Sequence, residues 1–176
     1  MDTDTTDTDI TEHNTQILMS FDNRVIRGRV RKELEQMYPG FAQITASKND
    51  NNQLKITAHE INESNELQKY EFTICADYPF KPPTITFQNR PYREFLKISH
   101  SPQDLQLFKR VSGLECLCCT SITCSGNWSP GYMMTHLIDE VRKIRKYRRN
   151  MICKIIADKI KARYLVADID LDSWLF

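Results

Sequence analysis

The chain has 176 residues, a length that suits one ordinary domain with a sizeable core. Forty per cent of them are hydrophobic and 10% aromatic, which fits a globular protein, and a formal net charge of +1 gives no global field to draw in nucleic acid or a membrane surface. No run of about 18 consecutive apolar residues occurs, so no membrane span is expected.

Residues 1–20 read as a disordered acidic leader, because Met1 to Gln16 is rich in Thr and Asp and lacks an apolar signal-peptide core. A core domain is expected over 21–165. From Asp22 to Met37 the pattern predicts an amphipathic helix, with Asp22 as its cap and Ile26, Val30, Leu34 and Met37 at helical spacing. The opposite face carries Arg24, Arg27, Arg29, Arg31 and Lys32, and Tyr38-Pro39-Gly40 ends the helix.

Strand-like runs follow at Phe41 to Ala46, Leu54 to Ile61, Leu67 to Ala76 and Thr84 to Phe87. Polar turns at Asn49 to Asn52 and Asn62 to Asn65 separate the first three and predict an antiparallel meander. The prolines of Tyr78-Pro79-Phe80-Lys81-Pro82-Pro83 part the third run from the fourth. From Arg90 to Trp128 periodicity is weak, apart from a short helix expected between Pro102 and Val111. Long irregular segments of this kind often carry function.

After Trp128-Ser129-Pro130 helices return. Met134, Leu137, Ile138, Val141 and Ile144 form one stripe, and Ile152, Ile155, Ile156 and Ile160 another, with a bend expected at Lys146 to Asn150. The tail 166–176 alternates acidic and apolar residues and ends in Trp174-Leu175-Phe176. The predicted fold class is therefore α+β: an N-terminal helix, a four-stranded antiparallel meander and C-terminal helices.

Six cysteines are present, four of them between Cys116 and Cys124. Adjacent Cys118 and Cys119 are poor disulfide partners for each other, and the spacing is not that of a secreted framework. A reducing intracellular setting is expected, with cysteine used for reaction or metal.

Four features of this chain, in this order, resemble the ubiquitin-conjugating enzyme family. They are the basic helix Arg29-Val30-Arg31-Lys32-Glu33-Leu34; strands leading into Tyr78-Pro79-Phe80-Lys81-Pro82-Pro83 and Thr84-Ile85-Thr86-Phe87; a cysteine upstream of Trp128-Ser129-Pro130; and closing helices. The resemblance covers roughly Arg24 to Tyr164. It implies a transferase that takes ubiquitin, or a ubiquitin-like protein, from an activating enzyme as a cysteine thioester. The acyl group then passes to a substrate lysine, usually with a ubiquitin ligase.

By position it also implies that Arg29, Lys32, Phe80, Pro130 and Gly131 meet the activating enzyme and ligases. A location in the cytoplasm, the nucleus or both follows, with no cofactor, no metal, no nucleic acid and no membrane involved.

In the family the reactive cysteine follows an aliphatic residue, precedes Leu, and has Gly three positions earlier and an aliphatic residue four positions later. Cys118 has Leu117 and Ile122 in place, with Glu115 for the Gly and Cys119 for the Leu. Cys116 has Gly113 and Leu117 in place, with Glu115 at the buried aliphatic position. Burying an unpaired carboxylate is the more costly departure, which favours Cys118 and leaves Cys116 as the alternative nucleophile.

The chain departs from the family at the His-Pro-Asn that usually precedes the cysteine, for which Arg93-Glu94-Phe95 stands here. Asn127, Ser125 and Thr120 are possible substitutes for the missing Asn, each more simply read as a surface polar residue. His100-Ser101-Pro102-Gln103 is a scrambled echo of the motif. Two other readings stay open: a non-catalytic variant of the same fold, and an interaction module in which Cys116, Cys118, Cys119 and Cys124 hold zinc.

Overall fold

The computed structural model describes residues 6–20, 23–98, 101–124 and 126–164. Helices and one antiparallel sheet follow each other in an α+β order. The strands are β1 (Gln43–Lys48), β2 (Leu54–Ile61), β3 (Leu67–Thr73), β4 (Thr84–Phe87) and β5 (Arg90–Pro91), each antiparallel to the next.

The sheet thus has five strands where four were expected. The extra strand is two residues long and contains a proline, so it has no alternation to read. It is turned back onto β4 by Gln88 and Asn89, both at positive φ (49° and 60°), the geometry of a tight hairpin.

Alternation within the strands builds the core. Leu54, Ile56 and Ala58 of β2 are buried, and the register sets Ile56 opposite Ala46 on one side and Phe72 on the other. Phe72 in turn faces Ile85, and Tyr70 faces Phe87 with ring centroids 5.2 Å apart. The first two turns are built alike. Asn49 Oδ1 accepts from the N–H groups of Asn51 and Gln53 (3.1 and 2.8 Å), and Asn62 Oδ1 from those of Ser64 and Glu66 (3.0 and 2.8 Å). These side chains fix the meander's register locally.

Residues Thr6–Met19 form a helix, α1, which corrects the expectation of a disordered leader there. Buried Asn14 shows what holds it: its amide donates to Ile44 O at 2.8 Å and its carbonyl accepts from Ala46 N at 2.6 Å. These are main-chain groups of the edge strand β1, so α1 covers an edge that would otherwise be open to pairing. Leu18 of α1 is buried as well, but a mostly polar composition with so few anchoring residues hides the contact.

The second helix, α2 (Arg24–Met37), is capped by Asn23, whose Oδ1 accepts from Val25 and Ile26 N–H at 3.0 and 3.2 Å. Asp22, the expected cap, lies outside the described residues. Ile26, Val30, Leu34 and Met37 are buried as the periodicity predicts, and so is Glu33.

The chain divides into two compact units. One takes in Met1–Phe95 and Ile122–Ile138, and its core joins the α2 stripe and the sheet residues with Met134, Leu137 and Ile138. A short helix, α3 (Tyr92–Phe95), belongs to it, with Phe95 edge-on to Phe87 at 5.1 Å. Each of the large apolar side chains buried here contributes about 1.5–3 kcal/mol.

The other unit takes in Leu96–Ser121 and Asp139–Phe176. It holds α4 (Pro102–Ser112), α5 (Leu117–Thr120) and most of α6 (Met134–Tyr164). Phe108 of α4 packs edge-on against Tyr147 of α6 at 6.3 Å, and Arg148 donates to Lys97 O at 3.0 Å.

The bend expected at Lys146 to Asn150 does not occur, since α6 runs unbroken from Met134 to Tyr164. That segment has neither Gly nor Pro, and without them a polar run continues a helix. Ile152, Ile156 and Ile160 lie exposed along α6, and the tail 166–176 is outside the described residues. Among the described residues no helix is long and apolar enough to cross a membrane.

Candidate functional site

Two groups of residues carry the chemistry singled out in the sequence, one in each unit. The first begins with helix α4, which Ser101 caps by accepting from Asp104 N–H at 3.3 Å, with Pro102 in its first turn. The echo His100-Ser101-Pro102-Gln103 is therefore a helix start, as far as it lies within the described residues. Gly113 ends α4 at φ 70°, a left-handed position that glycine takes without strain, and donates to Lys109 O at 2.9 Å.

The chain then runs extended through Cys116 (φ −156°, ψ 132°) into the single turn of α5. Leu117 is buried and anchors this turn, while Cys118 and Cys119 point outward and Cys116 is half-buried. Thr120 Oγ1 donates to Cys116 O at 2.8 Å and to Leu117 O at 3.3 Å. Ser121, also buried, donates to Glu140 at 3.1 Å.

An extended residue followed by one helical turn makes the sulfurs at i, i+2 and i+3 converge. The Sγ atoms of Cys116, Cys118 and Cys119 all lie within 4.8 Å of one another, with Cys118 and Cys119 3.8 Å apart. Cys116 receives a hydrogen bond from the Cys118 thiol and others from Cys119, and these hold its pKa below the ordinary thiol value. Hydrogen bonding with Cys116, then with Cys119, pushes the Cys118 thiol up to about 11. The three thiols thus form one hydrogen-bonded group, in which a negative charge on any one sulfur is stabilised by its neighbours.

Glu115, whose burial weighed against Cys116 in the sequence, is solvent-facing with its side chain 79% exposed and ion-paired to Lys109. Neither choice of nucleophile puts a carboxylate in the core, so that ground for preferring Cys118 falls away.

The second group lies in the unit that contains the sheet. The indole Nε1–H of Trp128 donates to Pro79 O at 2.8 Å, with the Tyr78 and Trp128 rings 6.4 Å apart, so the two proline loops of the sequence meet. Beside them Phe80 stands 73% exposed, and Pro130 and Gly131 are exposed as well. Arg24, Val25, Gly28, Arg29 and Lys32 of α2 line a groove with Pro79.

Beneath this surface lies a polar knot that the sequence reading missed. Glu33, wholly buried, accepts from Arg29 Nε and the Tyr78 hydroxyl on one oxygen, and from Met134 N–H at 2.8 Å on the other. Arg29 also donates to Tyr132 O at 2.8 Å. One carboxylate thereby ties α2, the Tyr78-Pro79 loop and the start of α6 together, and satisfies the first N–H of α6. Burial, and then the nearby Glu33 carboxylate, raise the Tyr78 pKa well above its ordinary range and keep the hydroxyl a donor. The available signal was a carboxylate on an otherwise apolar helical stripe.

The structure brings Cys116 and Cys118 together, and gathers Arg29 and Lys32 with Pro79 beside Phe80. Of the substitutes considered for the family's Asn, Thr120 is engaged with main-chain carbonyls, Asn127 is exposed, and Ser125 lies outside the described residues. No protein-family model matches the chain, and no curated protein and no solved structure matches it.

Proposed function

We propose that this chain is a ubiquitin-conjugating transferase, divergent in its active-site loop. The observation that carries the reading is the joining of the two proline loops through Trp128 Nε1 and Pro79 O, with Phe80 left facing solvent. These are the loops on which the family resemblance rests, and turn-making alone would not require them to meet.

The acyl carrier is a thiol of the cluster, with Cys116 as nucleophile. It is half-buried next to the anchored Leu117, whereas Cys118 and Cys119 are exposed, and hydrogen bonds from its neighbours hold its pKa below the ordinary thiol value. The Cys116 thiolate attacks the carbonyl carbon of ubiquitin's C-terminal thioester on the activating enzyme. A new C–S bond forms, the old one breaks, and the activating enzyme's cysteine leaves as thiolate. A lysine amine then attacks the same carbonyl, loses a proton, and releases the Cys116 thiolate.

Thiols of this kind need the reducing conditions of the cytoplasm or nucleus. Arg29, Lys32, Phe80, Pro130 and Gly131 form the surface offered to the activating enzyme and ligase, with Phe80 as a hydrophobic anchor.

The test is to incubate the full chain with activating enzyme, ATP and ubiquitin, in parallel with ubiquitin-like proteins and their own activating enzymes. A covalent adduct that reducing agent removes is expected for at least one modifier. Absence of any adduct with a folded chain overturns the reading and leaves a non-catalytic fold.

A further inference from the structure

We infer that the Cys116, Cys118 and Cys119 sulfurs form a binding site for one thiophilic d10 cation, Zn²⁺ or Cu⁺. Adjacent cysteines seldom share an ion, because a regular helix or strand points them apart. Here the break in conformation at Cys116 removes that obstacle, since an extended residue feeds directly into a helical turn. The three sulfurs come to lie within 4.8 Å of one another, two of them 3.8 Å apart. Thiolates on a tetrahedral zinc ion, with Zn–S bonds of about 2.3 Å, stand about 3.8 Å apart. The other sulfur pairs stand no farther apart than 4.8 Å, within about 1 Å of that spacing.

The chemistry of the donors sets the class of ion. Three thiolates select zinc or monovalent copper over the hard cations that prefer oxygen. Cu⁺ is satisfied by three sulfurs, whereas Zn²⁺ takes a fourth ligand. Cys118 and Cys119 are exposed, which leaves solvent access for that ligand. Binding replaces three thiol protons, which pass to solvent, and no electron is transferred.

Cys124, in the other unit, is not one of the three converging sulfurs, so the site differs from a four-cysteine zinc module. If Cys116 is the acyl carrier, as proposed above, cation and acyl group compete for one sulfur, and metal occupancy switches loading off.

The site is tested on the reduced, chelator-free full chain, without activating enzyme. Zn²⁺ is titrated against a chromophoric chelator, Cu⁺ anaerobically against a Cu⁺-specific one, and Co²⁺ serves as a spectroscopic stand-in for zinc. One equivalent is expected for Zn²⁺ or Cu⁺, with sulfur-to-metal charge-transfer absorption. Cys118→Ser and Cys119→Ser should each weaken binding at least about tenfold, while Cys75→Ser, Cys124→Ser and Cys153→Ser leave it unchanged.

Both substitutions in the cluster are on exposed side chains, so the fold is retained and can be checked by circular dichroism. The inference is overturned if neither ion binds more tightly than to a chain lacking all three cysteines, or if Cys124→Ser weakens binding as much as Cys119→Ser. Thioester loading measured with chelator present reports on the transferase reading separately, so either proposal can fail alone.

Discussion

Trp128 donates its indole N–H to the carbonyl oxygen of Pro79 across 2.8 Å, joining two loops 49 residues apart in sequence. Pro79 is buried and Trp128 half-buried, so removing the donor leaves a buried residue's carbonyl without its partner. Trp128→Phe should lower stability by about 1–3 kcal/mol, read as a fall in the urea midpoint with an unchanged slope. An unchanged midpoint would mean that the loops are held by other contacts.

Glu33 is the more severe test of the same region. Its carboxylate holds Arg29, Tyr78 and the first N–H of α6 from a wholly buried position. Glu33→Ala leaves a guanidinium, a hydroxyl and an amide facing the gap, and should destabilise the chain by about 3–5 kcal/mol. Chemical denaturation measures it, and a loss below about 1 kcal/mol would show that water replaces the carboxylate freely.

Much of this architecture can be read from the residues. The α2 stripe and the limits of β2 and β4 follow the apolar spacing, because there burial alone decides which residues face inward. What escapes is set by single polar contacts. Asn14 holds α1 to β1, Gln88 and Asn89 turn back a strand too short to alternate, and Glu33 has partners in three segments. The site divides in the same way. A cluster of thiols is visible in the sequence, but its ordering depends on one change of backbone conformation at Cys116 and on which way Glu115 faces.

Glu71 gives an acid-dependent prediction. Burial opposes its charge, but Lys55 and Lys69 at 2.7 and 3.1 Å and the Thr86 hydroxyl at 2.9 Å hold its pKa down to about 2. A carboxylate lowered in the folded state stabilises above its ordinary value and loses that contribution as pH falls through its folded pKa. Stability should therefore decline from about pH 5 towards pH 2, and Glu71→Gln should flatten that decline. Urea midpoints across this range compare the two. Parallel curves would place the acid sensitivity elsewhere.

Phe80 separates docking from folding. With 73% of its surface exposed, Phe80→Ala should leave the melting temperature within about 2 °C. Under the proposed function it should reduce ligase-dependent transfer several-fold while thioester loading continues. Equal loss of loading and transfer, with the melting temperature unchanged, would show that Phe80 is not a ligase-specific anchor.

Loading of single-cysteine variants identifies the acyl carrier, with chelator present and with activating enzyme, ATP and the modifier that charges the parent chain. Cys116→Ala should abolish the reducing-agent-sensitive adduct, and Cys118→Ala and Cys119→Ala should retain it. Cys116→Ser should trap a longer-lived oxyester, because an alkoxide leaves less readily than a thiolate. Peptide mapping of the parent adduct should place the modifier on Cys116. Loss of loading in Cys118→Ala, with Cys116→Ala still charged, would move the nucleophile to Cys118. An adduct that survives replacement of all three cysteines would place the acyl group outside the cluster and rule out its thiols as the carrier.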